Sequence, residues 1–269
     1  MSRHQLFGAN LNPTGIAVEI TDTISGCLPL NEYDVLPENS FLLQNIPSVI
    51  CVRTLNPTHD DVILDMCASP GNKTTHIANL MKNKATLIAI DKTPSKIERL
   101  RTNCNKFNTN VHIFQADSTK IFDGTLDESK SVVSGPPFCG ESFDKILLDA
   151  PCSALGKRPQ FPCKINNNTL KSFVPLQRKL FEVAANLLKP GGTLVYSTCT
   201  ITVAENEEIV AWALKKFSSL KLVKVENSFG TRGFFVNGLN DEQLSCLQRF
   251  DSDCDIDSVG FFIACFVKR

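Results

Sequence analysis

The chain has 269 residues, of which 42% are hydrophobic and 21% charged, with 28 basic and 28 acidic side chains. That length fits two average domains or one large α/β domain, and it buries enough surface to fold without disulfide or metal staples. The ordinary composition excludes disordered, collagen-like and mucin-like classes, and the zero net charge excludes a globally basic nucleic-acid binder.

Residues 1–13, MSRHQLFGANLNP, hold no apolar core of signal-peptide length, and no apolar run reaches the ~18 residues of a membrane span. Residues 1–59 carry turn signals at Asn12-Pro13, Leu36-Pro37 and Asn56-Pro57, and one amphipathic run from Phe41 to Leu55 reads as a helix. This piece is expected to be an N-terminal extension packed on a sheet. From residue 60 short apolar runs alternate with helical patterns. Strands are expected at Val62–Met66, Ala85–Ile90, Val111–Gln115, Phe143–Asp149 and Thr193–Ser197, with late strands at Leu220–Val225 and Gly260–Val267. Helices are expected at Thr74–Lys82, Ser95–Phe107, Ser172–Lys189 (closed by Pro190-Gly191-Gly192) and Ala204–Phe217. Residues 123–142, rich in Gly, Pro and Ser, read as a loop insertion. The alternation predicts an α/β fold: a doubly wound, mostly parallel sheet of about seven strands, with ligands at the carboxyl ends of the strands where their order reverses.

The eleven cysteines include no Cys-x-x-Cys pair, which argues against zinc and thioredoxin chemistry, and no metal site is expected. Free thiols in a reducing compartment are the expectation. The four histidines show no ligand spacing, and His76 reads as structural.

Three signals carry chemistry. Asp65-Met-Cys-Ala-Ser-Pro-Gly-Asn-Lys-Thr-Thr75 follows a strand and opens a helix, so its backbone N–H groups can approach a ligand closely. Asp91 ends the next strand, where a carboxylate holds ribose hydroxyls, and Asp117 follows the third strand, where it can meet an adenine amino group. A plain strand–helix turn with structural aspartates is the competing reading. Gly-x-Gly-x-x-Gly is absent, so the turn favours an S-adenosylmethionine-type cofactor over a dinucleotide, and a nicotinamide oxidoreductase has no fingerprint behind it.

The second signal is a pair of cysteines past the ends of two central strands, in Asp149-Ala-Pro-Cys152-Ser and Ser197-Thr-Cys199-Thr. A thiolate adding to carbon 6 of a pyrimidine makes carbon 5 an enamine nucleophile, and a second thiol can assist release. Spacing does not rank the two thiols. The third signal is Pro151–Phe181, where Lys157, Arg158, Lys164, Lys171, Arg178 and Lys179 meet no acidic residue and alternate with Phe161 and Phe173. That pattern suits a phosphate backbone; the alternative is a solvated face.

Together, Asp-x-Cys-Ala-Ser-Pro-Gly-x-Lys-Thr at 65–74, Asp91, Asp-Ala-Pro-Cys-Ser at 149–153 and Ser-Thr-Cys-Thr at 197–200 resemble the Nop/Sun RNA cytosine-5 methyltransferases, across about residues 35–269. Pro175–Lys179, Ala204-Glu-Asn-Glu-Glu208 and Gly260–Ala264 resemble most the sixth branch of that family, which methylates a cytosine near the 3′ end of certain transfer RNAs and in some messenger RNAs. The resemblance implies a class I, Rossmann-like methyltransferase domain over 36–269. It implies S-adenosyl-L-methionine contacts from Cys67, Ala68, Ser69, Pro70, Gly71, Asn72, Lys73, Asp91, Asp117 and Asp149. It implies Cys199 as nucleophile, Cys152 as the releasing thiol, and Lys73 and Asp149 beside the target base. RNA, transfer RNA above all, is the implied partner, with no membrane or metal, a cytoplasmic location and a monomeric chain. Residues 1–35 are expected to be the remnant and linker of a PUA-type RNA-binding domain, and a weakly active RNA-binding form is the alternative function. Asn72 stands where the family has Gly or Ser, and is expected to tolerate a left-handed backbone there. The stretch between Phe250 and Gly260 is shorter than in that branch.

Overall fold

A computed structural model of the chain describes residues 42, 44–127, 129–158, 165–225, 229–251, 254 and 258–269. The readings of residues 1–35, of the run's start at Phe41, and of Phe161 and Lys164 lie outside the described residues. Of the two compact units, Met1–Gln44 and Asn45–Arg269, the second holds the elements that follow.

Eight strands form one sheet: Val62–Asp65 (β1), Thr86–Asp91 (β2), His112–Gln115 (β3), Phe143–Asp149 (β4), Leu188–Thr198 (β5), Leu220–Val223 (β6), Gln248–Phe250 (β7) and Phe261–Lys268 (β8). The order is β3-β2-β1-β4-β5-β8-β6, with β7 pairing to β8. Strands β1 to β5 run parallel, and β8 is antiparallel to β5, β6 and β7. From β1 the chain builds outward through β2 and β3, then returns to lay β4 and β5 on the other side. The order therefore reverses between β1 and β4, which is where such sheets bind ligands.

The helices are Ile46–Leu55 (α1), Asn72–Leu80 (α2), Pro94–Lys106 (α3), Asn167–Leu187 (α4), Glu207–Lys216 (α5) and Asp241–Ser245 (α6). Strand side chains alternate between two apolar layers. Leu64, Ile146, Leu148, Leu194, Tyr196 and Phe266 meet Leu180, Phe181 and Ile209 of α4 and α5. Ile63, Leu147, Val195 and Ile263 meet Ile50, Cys51, Leu55 and Ile77 of α1 and α2. Both faces are covered, so the central strands read as unbroken apolar runs rather than alternating ones. Phe181 is fully buried, with ring centroids 5.2 Å from Phe266 and 6.0 Å from Tyr196, a burial that contributes about 2–3 kcal/mol.

Several boundaries differ from the sequence expectation for local reasons. Helix α4 begins at Asn167 rather than Ser172 because the Asn166 side chain accepts from the Thr169 N–H and caps it. Strand β5 starts at Leu188, so Pro190-Gly191-Gly192 interrupts a strand rather than separating helix from strand. Leu188 pairs with Phe143 and Thr193 with Lys145, and the intervening residues bulge, with Gly191 at φ 78°. Helix α5 begins at Glu207 rather than Ala204, since Glu205 and Asn206 are engaged elsewhere. The eighth strand, β7, and helix α6 were not foreseen.

Candidate active site

The turn after β1 is tied down from three sides. The Ser69 N–H donates to Asp91 Oδ2 (3.1 Å), Ala68 N–H to the Ile90 carbonyl (3.0 Å), and Asn103 Nδ2 to the Pro70 carbonyl (2.8 Å). Gly71 takes φ 107°, and a Cβ there would sit 3.0 Å from Leu100 Cδ1. Gly71 is thus the left-handed residue of the turn. Asn72 is instead the first residue of α2, which corrects the expectation that it adopts the left-handed backbone. At the base of the turn, buried Asp65 accepts from Thr74 Oγ1 at 2.7 Å. Burial pushes its carboxyl up to about 7, against the lowering pull of that bond. Cys67 lies in the same turn, and burial holds its thiol well above the ordinary range.

Asp91 is buried at the end of β2. Its Oδ1 accepts from the Lys92 N–H (2.7 Å) and pairs with Lys96 (3.2 Å). Among the described residues its Oδ2 accepts only the Ser69 bond, which leaves acceptor capacity on the face of the turn. Asp117 pairs with Lys92 at 2.9 Å and accepts from the Thr119 hydroxyl and N–H. The Lys92 bond, then the Thr119 hydroxyl, hold its carboxyl down at about 2. It also caps the short turn at Ser118–Lys120, the structural role that its position equally allowed. The turn and these carboxylates suit a cofactor with hydroxyl and amino groups and no pyrophosphate.

Beyond the ends of β4 and β5 five side chains converge. Lys73 Nζ lies 2.6 Å from Asp149 Oδ2, and Ser197 Oγ donates to Asp149 Oδ1 at 2.7 Å. Burial works to lower the Lys73 ammonium, but the Asp149 carboxylate overrides it and holds the lysine above its usual range, fully charged. Cys152 Sγ and Cys199 Sγ stand 3.4 Å apart. A hydrogen bond shared between the thiols lowers Cys199. Burial and Asp149 oppose that shift, and Lys157 and Lys73 assist it. The same bond, with burial, raises Cys152. Either sulfur is able to donate in that contact, and the charges of Lys157 and Lys73 favour a thiolate at Cys199.

Of the basic stretch, Lys157, Arg158, Lys171 and Lys179 are exposed, while Arg178 lies half-buried over the Trp212 ring at 5.3 Å. His76 is half-buried on α2, and burial pushes it down to about 4, with Arg53 adding to the effect. Among the described residues no group of three or more His, Cys, Asp and Glu is arranged to hold a metal, and no helix is long and apolar enough to cross a membrane. Sequence reasoning quoted Ser153, Gln177, Ser197 and Glu205 within its motifs but gave them no role; here they bind the thiol-bearing loops together.

A parallel sheet reversed between β1 and β4, closed by the antiparallel β8, with a glycine turn, end-of-strand aspartates and two facing thiols, defines a Rossmann-like methyltransferase domain. Residues 52–266 match the family described as 16S rRNA methyltransferase RsmB/F. The chain belongs to that RsmB/F, or Nop/Sun, family. It is 44% identical to tRNA (cytosine(72)-C(5))-methyltransferase NSUN6 of Mus musculus, with 100% of this chain and 60% of that protein aligned. It is 36% identical to tRNA (cytosine(72)-C(5))-methyltransferase of Pyrococcus horikoshii, over 93% of this chain and 58% of that protein. The crystal structure of NSun6 from Pyrococcus horikoshii with SFG superposes with TM-score 0.75 at 35% identity, covering 90% of this chain and 56% of that one. The chain thus spans about 60% of the length of the mouse relative.

Proposed function

We propose that this protein transfers a methyl group from S-adenosyl-L-methionine to carbon 5 of a cytosine in RNA, with the 3′ region of transfer RNA as substrate and certain messenger RNAs as further targets. The observation that carries the reading is the Cys152–Cys199 contact at 3.4 Å beside the Lys73–Asp149 pair at 2.6 Å. The names of the two relatives, both tRNA cytosine-C5-methyltransferases, support the substrate class. SFG, an analogue of S-adenosylmethionine, in the related crystal structure supports the cofactor.

When bound, the cofactor supplies an electrophilic methyl group. The turn Cys67, Ala68, Ser69, Pro70, Gly71, Asn72 and Lys73, with Asp91 and Asp117, holds it, and Asp149 reaches from the neighbouring strand end. The target cytosine leaves its stack to enter the crevice. Cys199 adds as thiolate to carbon 6, Asp149 binds the cytosine edge and favours a proton on the ring nitrogen, and Lys73 keeps Asp149 in place. Carbon 5, now an enamine carbon, takes the methyl group. Cys152 assists loss of the carbon 5 proton, after which the ring expels Cys199. The exposed Lys157, Arg158, Lys171 and Lys179 track the phosphate backbone. Nine free thiols among the described residues fit a reducing compartment, and we place the protein in the cytoplasm as a monomer.

The test is incubation with methyl-labelled S-adenosylmethionine and total RNA, with Cys199→Ala and Cys152→Ala alongside. Label recovered as 5-methylcytosine disappears in Cys199→Ala, and Cys152→Ala accumulates a covalent protein–RNA adduct. Full turnover by Cys199→Ala removes it as nucleophile. Cofactor binding with no label in any RNA favours instead an RNA-binding form without turnover.

A further inference from the structure

The Ala204–Glu208 motif has no part in the steps above, yet Glu205, Asn206 and Glu207 are among the most deeply buried polar residues, each at most 1% exposed. Glu205 Oε2 accepts from the Ser153 N–H and from Gln177 Nε2, both at 2.9 Å. Its Oε1 accepts from Ser153 Oγ at 2.6 Å and Thr202 Oγ1 at 2.8 Å. None of these donors belongs to α5, so the carboxylate is not serving its own helix as a cap. Ser153 follows Cys152, and its hydroxyl also lies 2.7 Å from the Thr200 hydroxyl, next to Cys199. Gln177 Nε2 further donates to the carbonyl of Pro151, on the other side of Cys152. Asn206 grips both neighbours of Cys199: its Oδ1 accepts from Thr198 Oγ1 (2.6 Å) and its Nδ2 donates to the Thr200 carbonyl (3.0 Å).

An ionised carboxylate taken out of water costs several kcal/mol, recovered only by full hydrogen bonding. An apolar residue would fill this volume at no such cost. What the carboxylate adds is a common acceptor for donors from two loops that are otherwise 46 residues apart in the chain, from Ser153 to Cys199. We infer that Glu205 is the positioning residue of the thiol pair, holding the Cys152 sulfur against the Cys199 sulfur. The inference rests on the proposed function for its catalytic meaning, while the thiol geometry is measurable without RNA. The groups that face Cys199 are Cys152, Asp149, Lys157 and Lys73. Of these, Cys152 is the one that Glu205 places.

The experiment is the pH profile of Cys199 alkylation by iodoacetamide, read by mass spectrometry of its peptide, in the native chain and in Glu205→Ala, Glu205→Gln and Ser153→Ala. Loss of a thiol–thiolate hydrogen bond shifts the alkylation midpoint upward by about one pH unit in folded Glu205→Ala. Glu205→Gln restores it. The two fixed donors, Ser153 N–H and Gln177 Nε2, share a single oxygen, and the two hydroxyls on the other can turn to accept from the amide. Ser153→Ala shifts the midpoint in the same direction and replaces Glu205→Ala if that variant does not fold. An unchanged midpoint in folded Glu205→Ala, or in Ser153→Ala if the former does not fold, overturns the inference, as does a Gln variant as shifted as the Ala one. In transfer assays Glu205→Ala lowers kcat with little change in KM for RNA. A native chain that transfers no methyl group while the midpoints shift as expected refutes the methyl-transfer reading and leaves the positioning role standing.

Discussion

Asp65 offers the sharpest quantitative test. Its carboxyl is fully buried and held at about 7, against 3.8 for the ordinary group. The folded protein therefore binds a proton that the unfolded chain releases throughout the interval between those values. Stability falls as pH rises wherever the folded state binds more protons, at about 1.4 kcal/mol per pH unit. Three units of separation make about 4 kcal/mol lost between pH 4 and pH 7, with no further loss above. Asp65→Asn removes the titration while keeping an oxygen for Thr74 Oγ1. The oxygen it replaces, Oδ1, has no partner among the described residues, so the amide there adds an offset that does not vary with pH. His76, held down at about 4, contributes the opposite slope over an overlapping interval, since stability is lost as pH falls towards that value. It is common to both proteins and cancels in their difference. Urea unfolding of the pair at pH 4, 5, 6, 7 and 8 gives that difference directly. The native chain is expected to lose about 4 kcal/mol relative to Asp65→Asn between pH 4 and 7. A difference that stays flat with pH refutes the assignment of a neutral buried carboxyl.

Other outcomes follow from single contacts. Arg249→Ala strips Glu207 of a doubly hydrogen-bonded buried partner (2.7 and 2.8 Å) and costs about 3–5 kcal/mol in urea unfolding; a loss under ~1 kcal/mol would show the pair to be solvated. Gly71→Ala forces a side chain onto φ 107° and against Leu100, costing about 1–2 kcal/mol by thermal unfolding and weakening cofactor binding measured by calorimetry. Unaltered cofactor affinity in a destabilised variant would place the cofactor away from this turn. Asn166→Ala removes the cap of α4, with a loss of about 1 kcal/mol and no change in Cys199 alkylation.

The central strands and the order of the chemistry-bearing turns were legible because parallel strands buried on both faces leave continuous apolar runs such as Ile146–Leu148. Strand β7 was not: three residues, Gln248–Phe250, are too few to show a period, and buried Arg249 finds Glu207 and the Ile201 carbonyl 42 and 48 residues away. Helix α6 did carry a signal, since Asn240 and Gln243 form a capping box, but five residues offer no apolar stripe to weigh with it. In the site, the residue types of the turn and both thiols stood out locally. Their contact did not, because Cys152 and Cys199 come from separate segments. Glu205 was hidden for the same reason: its worth lies in donors from Ser153 and Gln177 that sequence neighbours cannot reveal.

The pairing of β8 with β5 bears on how the protein comes into being on the ribosome. The turn over Asp65–Lys73 and its partner Asp91 are synthesised early and are close together in the chain. The Cys199 loop instead is aligned through Ser197 opposite Ile263 and Thr198 opposite Phe262, and the Gly260 N–H donates to the Gly156 carbonyl at 2.7 Å while Gly156 N–H donates to that of Cys199 at 3.0 Å. A translating chain that has not yet released residues 260–268 holds its cofactor turn without the strand that seats its thiols. The turn at Asp65–Lys73 and the Cys199 loop therefore depend on different parts of the chain: the first is closed by Asp91, Ile90 and Asn103, the second by β8.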